Sequence, residues 1–432
     1  MPASRVDAWV VRHRGRCLLL LVVLAFGLRV IGSVILGLQA IPNSDDLDYD
    51  RLAMSLAHGE GYTIFGTFIS FRPPLYPLFL SFVYRIAGHD YMAARVSQAL
   101  LGALTAWLAY LLGRRLFGEA RGYVAALLYA AAPADVFFSH GLLTETLFLP
   151  LLMAMAYGFV RLSEAARLAG SGGRGEVSVP WALASGALFG AATLTRPVLL
   201  LFPPFLFLWA WWTYRVPGAK GSRADFRRVA AALSVIMLTA VGALSPWVWL
   251  VRERTGHWVP VTTGGGVTFW GSNNVQVMDR EHWGRWVPIT KLPFYDELKV
   301  VASDQVELDR RAWRLGLHFL SENPEKIPQL LVYKFARFWN PVANLRTSWK
   351  VTYFITYGLA IPWMFAGMAL SFRRDAPGLI LHLLVGTFCL SALVFWGDAR
   401  MRSGISPFLW MFAVVAGSKA MERLRGIVGR RG

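Results

Sequence analysis

The residues best suited to chemistry lie just past the first long apolar stretch of the chain. The run Asn43-Ser44-Asp45-Asp46-Leu47-Asp48-Tyr49-Asp50 is acidic. Ser44 is placed to cap a helix, and acids in a first helical turn complement its dipole. At about 100° per residue, Asp45, Tyr49, Leu52, Ala53 and Leu56 share one face, from which Asp46 and Asp50 point well away. Asp45 is therefore expected at the centre of the apolar side. Loss of water there would raise its pKa and keep it basic enough to accept a proton. A carboxylate at a lipid–water boundary is costly, which argues for a role. Downstream stands Phe71-Arg72-Pro73-Pro74-Leu75-Tyr76-Pro77. The paired prolines stiffen the backbone beneath Arg72, whose planar fork suits a phosphate. The plainer alternative for Arg72 is an interfacial side chain reaching lipid head groups.

Such residues need a scaffold to hold them at a membrane surface. A membrane span takes about 20 apolar residues. Candidate spans lie at 17–40, 92–113, 121–138, 142–160, 180–197, 198–214, 229–250, 351–371, 377–397 and 404–421. The first lacks a small-x-small cleavage site and reads as an anchor rather than a signal peptide. With the N-terminus in the cytoplasm, Arg5, Arg12, Arg14 and Arg16 lie inside. So do Arg114, Arg115, Arg121, Arg161, Arg167, Arg174, Arg215, Lys220, Arg223, Arg227, Arg228, Arg373 and Arg374 in the connections, and Lys419, Arg423, Arg425, Arg430 and Arg431 in the tail. Together these are half of the 44 basic residues on one side, as the positive-inside rule requires of about ten spans with both ends inside. A further span at 74–88 would invert every later loop, so that segment reads as a helix lying at the interface.

Two outer segments remain. Residues 41–91 hold the acidic run and Arg72, and residues 252–350 hold two amphipathic stretches near 305–319 and 324–339. Loops this long usually carry function. The chain thus reads as one polytopic membrane domain, all-α, over residues 1–432, with a short Gly/Ser linker at 170–175.

Composition excludes most other classes. The chain is 55% hydrophobic and only 16% charged, with a mean hydropathy of +0.44. A soluble chain carries about 25% charged residues. The net charge of +18 sits between apolar runs and matches topology, not a nucleic-acid surface. Cys17 and Cys389 fall in apolar spans, so no disulfide framework is expected. Gly264-Gly265-Gly266 has no following Gly-Lys-Ser/Thr and reads as a loop hinge, not a phosphate cradle. His58 and His140 lack ligand spacing, so no histidine metal site is expected.

The motifs, taken in order, resemble those of the GT-C glycosyltransferases. They are similar to the branch holding aminoarabinose lipid A transferases, protein O-mannosyltransferases and rhizobial galacturonosyl transferases. The matching residues are Asp45-Asp46-(x)2-Tyr49, Gly59-Glu60-Gly61-Tyr62 and Arg72-Pro-Pro-Leu-Tyr76-Pro in the first outer loop. Ala93-Arg95-(x)2-Gln98, Thr144-Glu145, Leu194-Thr195-Arg196-Pro197 and Pro246-Trp247 follow, then Gly271-Ser272-Asn273, Asn323-Pro324, Lys334 and Asp398-Ala399-Arg400-Met401-Arg402. Asp46 replaces the Glu of many members, and Arg72 replaces the Lys of the aminoarabinose branch.

The resemblance implies a GT-C bundle that moves a sugar, with inversion, from a polyprenyl-phosphate carrier to an acceptor at the outer face. The acceptor would be a glycolipid, polysaccharide or protein, and the location a bacterial inner membrane. Asp45 matches the family's base position; Glu145 is the second candidate catalytic acid, placed to orient the acceptor, hold an amino sugar or pair with one of the arginines. Arg72, Arg196, Arg400 and Arg402 are candidates for the donor phosphate, supported by Asp46, Tyr49 and Tyr76. No cofactor is required by this reading, and a divalent cation stays open. The alternatives are a lipid or sugar transporter or flippase, and a ligase or polymerase using a lipid-diphosphate donor. A transporter would place charge at mid-membrane; Arg29 lies deepest, while most other charges gather at the outer edge.

Overall fold

A computed structural model describes residues 5–36, 44–170, 178–215, 223–279, 281–342, 347–373 and 377–428 of the protein. The Ser44 side chain, the linker beyond Gly170, and Arg174, Lys220, Arg374, Arg430 and Arg431 lie outside the described residues.

Over its described residues each of the ten expected spans is occupied by helix; residues 37–40 of the first lie outside them. In chain order the helices are α1 (Arg14–Ile35), α2 (Ser44–Ala57), α3 (Leu75–Ala87), α4 (Tyr91–Phe117), α5 (Glu119–Ala131), α6 (Pro133–Phe138), α7 (Glu145–Gly170), α8 (Val179–Thr195), α9 (Pro203–Tyr214) and α10 (Arg223–Thr255). The large outer segment carries α11 (Gly265–Gly271), α12 (Gln305–Glu322) and α13 (Ile327–Phe338). The chain ends with α14 (Thr347–Thr356), α15 (Ile361–Ser371), α16 (Leu379–Val394), the short α17 (Ala399–Ser403) and α18 (Ser406–Val428). Among the described residues, six helical segments are long and apolar enough to cross a bilayer, and α8 and α16 are shorter apolar helices.

The expected span at 121–138 is broken in two. Ala132 is extended and Pro133 opens α6, because proline cannot continue the hydrogen-bond ladder of α5. In the bundle, Leu21, Tyr110, Tyr129, Phe148, Phe202 and Phe408 belong to one buried cluster. Gly367 lets α15 close on α18, since a Cβ there would fall 1.7 Å from the Phe412 carbonyl oxygen. Small residues at such crossings are how membrane helices pack without a hydrophobic driving force. Leu19, Leu20, Val23, Leu208 and Leu238 remain exposed, the outward face that lipid would cover.

Helix α3 covers the 74–88 segment. One side packs Tyr76, Leu80 and Tyr84 against Tyr49 and Ala53 of α2. Leu78, Phe82 and Ile86, four residues apart, stay exposed on the other, the pattern of an interfacial helix. Between α2 and α3 a two-stranded hairpin pairs Thr63–Ile64 with Thr67–Phe68. Its turn residues Phe65 and Gly66 both have positive φ, as the tight turn that matches strand twist demands.

The outer segment forms its own small core of Trp270, Val277, Val287, Leu298, Ala312 and Leu330. Here the glycine triplet departs from the expected hinge. It opens α11, and a Cβ on Gly266 would lie 2.0 Å from the Asp309 carbonyl oxygen of α12. Close helix packing, not flexibility, requires glycine there. Lys334 is completely buried and donates to Asn273 Oδ1 at 2.8 Å and to the Leu393 and Val394 carbonyls at 3.1 Å. Those bonds lock α13 and α11 to the end of α16, and burial pushes the Lys334 amine down to about 7.

Candidate active site

Residues from five separate parts of the chain meet at one end of the bundle in an alternating line of carboxylates and guanidinium groups. Arg72 Nη2 donates to Asp48 Oδ2 and to Asp45 Oδ1, each at 2.7 Å. Arg400 Nη1 donates to Asp45 Oδ2 at 2.9 Å, and its Nε donates to Glu145 Oε1 at 2.9 Å. Arg196 closes the line, with Nη1 2.7 Å from Glu145 Oε1. Exposure rises from Glu145 to Asp45: the side chains of Glu145, Arg400 and Asp45 are 3%, 19% and 26% exposed. The line is sealed at Glu145 and open at Asp45.

Local structure explains each placement. Asp45 begins α2, where the helix dipole favours a carboxylate. Arg72 is held through its backbone, because the Tyr62 hydroxyl donates to the Arg72 and Pro73 carbonyls at 3.1 Å. Gln305 of α12 binds the Ser70 amide and the Phe68 carbonyl, so the large outer segment braces the same strand. The Arg72 guanidinium lies 5.3 Å from the Tyr49 ring. Asp398 caps α17 by accepting from the Arg400 amide. Arg196 follows the last turn of α8 in extended backbone before Pro197, which sends its side chain back across the bundle end.

Three expectations are corrected. Burial does push the Asp45 carboxyl upward, but Arg72 and Arg400 outweigh it and hold the group below the usual carboxylate range. Asp45 is thus an ionised acid clamped by two cations rather than a desolvated one. Next, Asp46 and Asp50, expected to lie off the apolar face of α2, are nonetheless only 2% and 8% exposed. Helix α2 is covered on more than one side, so a single apolar face was the wrong picture. Asp50 accepts from the hydroxyls of Tyr84 and Tyr91 and contacts His89.

Third, Arg402 does not join the line. It is fully buried, donating to the Phe338 and Asn340 carbonyls and to the Tyr353 hydroxyl at 2.6–2.8 Å. Two positions along a helix turn a side chain about 200°, so Arg400 and Arg402 diverge. Arg402 anchors the end of α13 to the bundle. Tyr76 supports the site indirectly, through a 2.8 Å bond to Gln98 Oε1. The Gln98 amide in turn holds the Ser139 and Gly141 carbonyls. Asp48 went unassigned in the sequence, although its spacing of three from Asp45 puts both acids over the same turn.

Asp46 has a different environment from its neighbour. Its Oδ1 has no hydrogen-bond partner among the described residues, and burial, with Asp45 and Glu145 nearby, raises its pKa to about 7 despite Arg400. A carboxyl raised on folding binds more protons folded than unfolded between about pH 4 and 7, so stability should fall as pH rises through that window. The expected cost is on the order of a few kcal/mol. In detergent the protein should melt at a lower temperature at pH 8 than at pH 5, and Asp46→Asn should shrink that difference. Identical pH dependence in the two proteins would contradict a protonated Asp46. Among the described residues, no group of three or more His, Cys, Asp or Glu gathers in a way that could hold a metal ion.

Comparison with known proteins adds the following. Residues 71–249 match the family model for dolichyl-phosphate-mannose-protein mannosyltransferase. The archaeal oligosaccharyltransferase AglB from Archaeoglobus fulgidus, solved with an inhibitory peptide and a dolichol-phosphate, matches with a TM-score of 0.57 and 13% identity, over 96% of this chain and 52% of that one. The apo form of the Archaeoglobus fulgidus oligosaccharyltransferase gives a TM-score of 0.58 and 14% identity, with the same coverage. ArnT from Cupriavidus metallidurans bound to undecaprenyl phosphate is also similar, at a TM-score of 0.45 and 16% identity, over 96% and 78% of the two chains. No curated protein sequence matches. The chain spans about half the length of the oligosaccharyltransferase whose fold it shares.

Proposed function

We propose, for a chain of the GT-C superfamily, that it transfers a sugar from a polyprenyl-phosphate carrier to an acceptor hydroxyl at the outer membrane surface, inverting the anomeric carbon. The observation that carries this is the Asp45 carboxylate, partly open to solvent and clamped between Arg72 and Arg400. A base and two cations within one reach are what this reaction needs. The bond that forms joins the acceptor oxygen to the anomeric carbon, and the bond that breaks joins that carbon to the carrier's phosphate oxygen. The acceptor proton passes to Asp45, and the phosphate leaves with the electron pair and added charge.

The same arginines serve both partners in turn. While they bind Asp45 they hold its basicity down. A donor phosphate presented to Arg72 and Arg400 would compete for those donors. Asp45 would then become a stronger base only when donor is in place. Glu145, sealed and shared between Arg196 and Arg400, positions Arg400 and acts through it. Arg402 is left out of phosphate binding because it is fully buried, with Nη1 and Nη2 bound to the Phe338 and Asn340 carbonyls and the Tyr353 hydroxyl. The fold-sharing oligosaccharyltransferase was solved with a dolichol-phosphate, which supports a lipid-phosphate carrier here. A lipid-diphosphate donor is the second reading, and offering both donor classes decides between them.

The test is transfer of label from polyprenyl-phosphate sugars by membranes containing the protein, across candidate glycolipid, polysaccharide and protein acceptors. Arg72→Ala is expected to raise the donor KM about tenfold or more, as befits loss of a charge-assisted phosphate contact of roughly 1.5–3 kcal/mol. Arg72→Lys should recover part of it, because a point charge replaces the fork. An unchanged donor KM in Arg72→Ala would remove Arg72 from the phosphate site.

A further inference from the structure

At the end of the bundle away from the ion line, α9 and α10 part to leave an open cavity of about 310 Å³. Its walls are apolar, among them Phe207, Leu208, Trp211, Phe226, Ala230 and Leu233. Phe207, Leu208 and Trp211 are more than half exposed. They therefore line a trough on the outside of the bundle rather than a core defect. By the distribution of basic residues this end faces the cytoplasm.

One end of the trough is not apolar. Arg215 follows the last turn of α9 and is exposed. Its guanidinium stands 5.7 Å from the Trp211 ring and 5.4 Å from the Phe226 ring. The two aromatics that wall the trough thus also hold a cation at its mouth. Arg227 and Arg228, both exposed, extend the positive charge along the same turn of α10 as Phe226. Within a bilayer, the only abundant filling for a hydrocarbon trough is an acyl chain. A cation fixed at its cytoplasmic rim selects among lipids by head-group charge. A zwitterionic lipid would fill the trough equally well but would offer Arg215 no net negative charge.

We propose that the α9–α10 groove binds one anionic phospholipid of the cytoplasmic leaflet. One acyl chain lies along Phe207, Leu208 and Ala230, and the phosphate lies at Arg215. This site is separate from the ion line, and its test does not depend on sugar transfer.

Native mass spectrometry of the purified full-length protein in detergent, offered phosphatidylglycerol or phosphatidylcholine in equal amounts, reads the site directly. The unaltered protein should retain phosphatidylglycerol in preference. Arg215→Ala should lower that retention about fivefold and leave phosphatidylcholine unchanged, whereas Arg215→Lys should keep the preference. Ala230→Phe, which fills the trough, should lower retention of both lipids. Should that variant not fold, as judged by thermal unfolding in the same detergent, Leu208→Gln on the exposed wall tests the same point. Equal retention of the two lipids by the unaltered protein would overturn the proposal. So would undiminished phosphatidylglycerol in Arg215→Ala, or undiminished lipid in a folded trough variant.

Discussion

Asp45→Asn is expected to lower sugar transfer by about 10²- to 10⁴-fold, the range typical of losing a positioned general base, while the protein still folds and inserts. Asparagine keeps the shape and one acceptor oxygen, so Arg72 or Arg400 can still be met. What disappears is the negative charge and the capacity to take a proton. The clamp makes a second outcome measurable. Freed of competition from a carboxylate, the two arginines should bind donor phosphate at least as well, so the donor KM should not rise. Loss of turnover with an unraised donor KM is the signature of a base held by its substrate's own ligands. Transfer within about threefold of normal would leave Asp45 without the role proposed here.

The second large effect is expected at Arg400. Of the three arginines in the line, it alone joins Asp45 to Glu145. Removing it takes a cation from the departing phosphate, and loss of one such stabilising group costs about 10²- to 10³-fold in rate. It also leaves Glu145, 3% exposed, with Arg196 as its only remaining cation in the line. Breaking a fully buried pair costs about 3–5 kcal/mol. The retained Arg196 contact and the 19% exposure of Arg400 place the expected loss below that range. Arg400→Ala should therefore lower both transfer and the melting temperature in detergent. Arg400→Lys separates the two, since one ammonium can pair with Glu145 but cannot span to Asp45 as a fork does. It should restore stability more than activity. A variant Arg400→Ala that melts normally and transfers normally would show that the line has no shared function.

Much of this was legible in the residues themselves. Over their described residues the ten apolar segments became helix, one of them broken at Pro133; segment 74–88 became α3, and the amphipathic stretches within 252–350 became α12 and α13. Hydropathy and helical period are local averages over many residues, so they survive without knowledge of tertiary contacts. Ordered motifs drew Asp45, Arg72, Glu145, Arg196 and Arg400 to one side of the membrane, and the structure brings those five together. The misjudged residues were those whose surroundings come from elsewhere. Helical period places Asp46 off the apolar face of α2, yet Gly141, distant in the chain, approaches its carboxylate closely enough that a Cβ there would sit 3.5 Å from Oδ1. Asp48 was passed over because nothing near it in the chain shows the arginine it binds, 24 residues on.

By itself, then, the sequence determined the bilayer as solvent, the apolar segments that become helix and the class of side chain gathered at one end of the bundle. Those follow from transfer energies and charge counts that each segment carries alone. Only the tertiary structure decided that Arg400 reaches Asp45 across 355 residues while Arg402, two positions on, turns into the bundle. The direction of each carboxyl's pKa was decided there too. Burial raises it and a neighbouring guanidinium lowers it. Which wins depends on distances of a few ångströms between residues far apart in the chain.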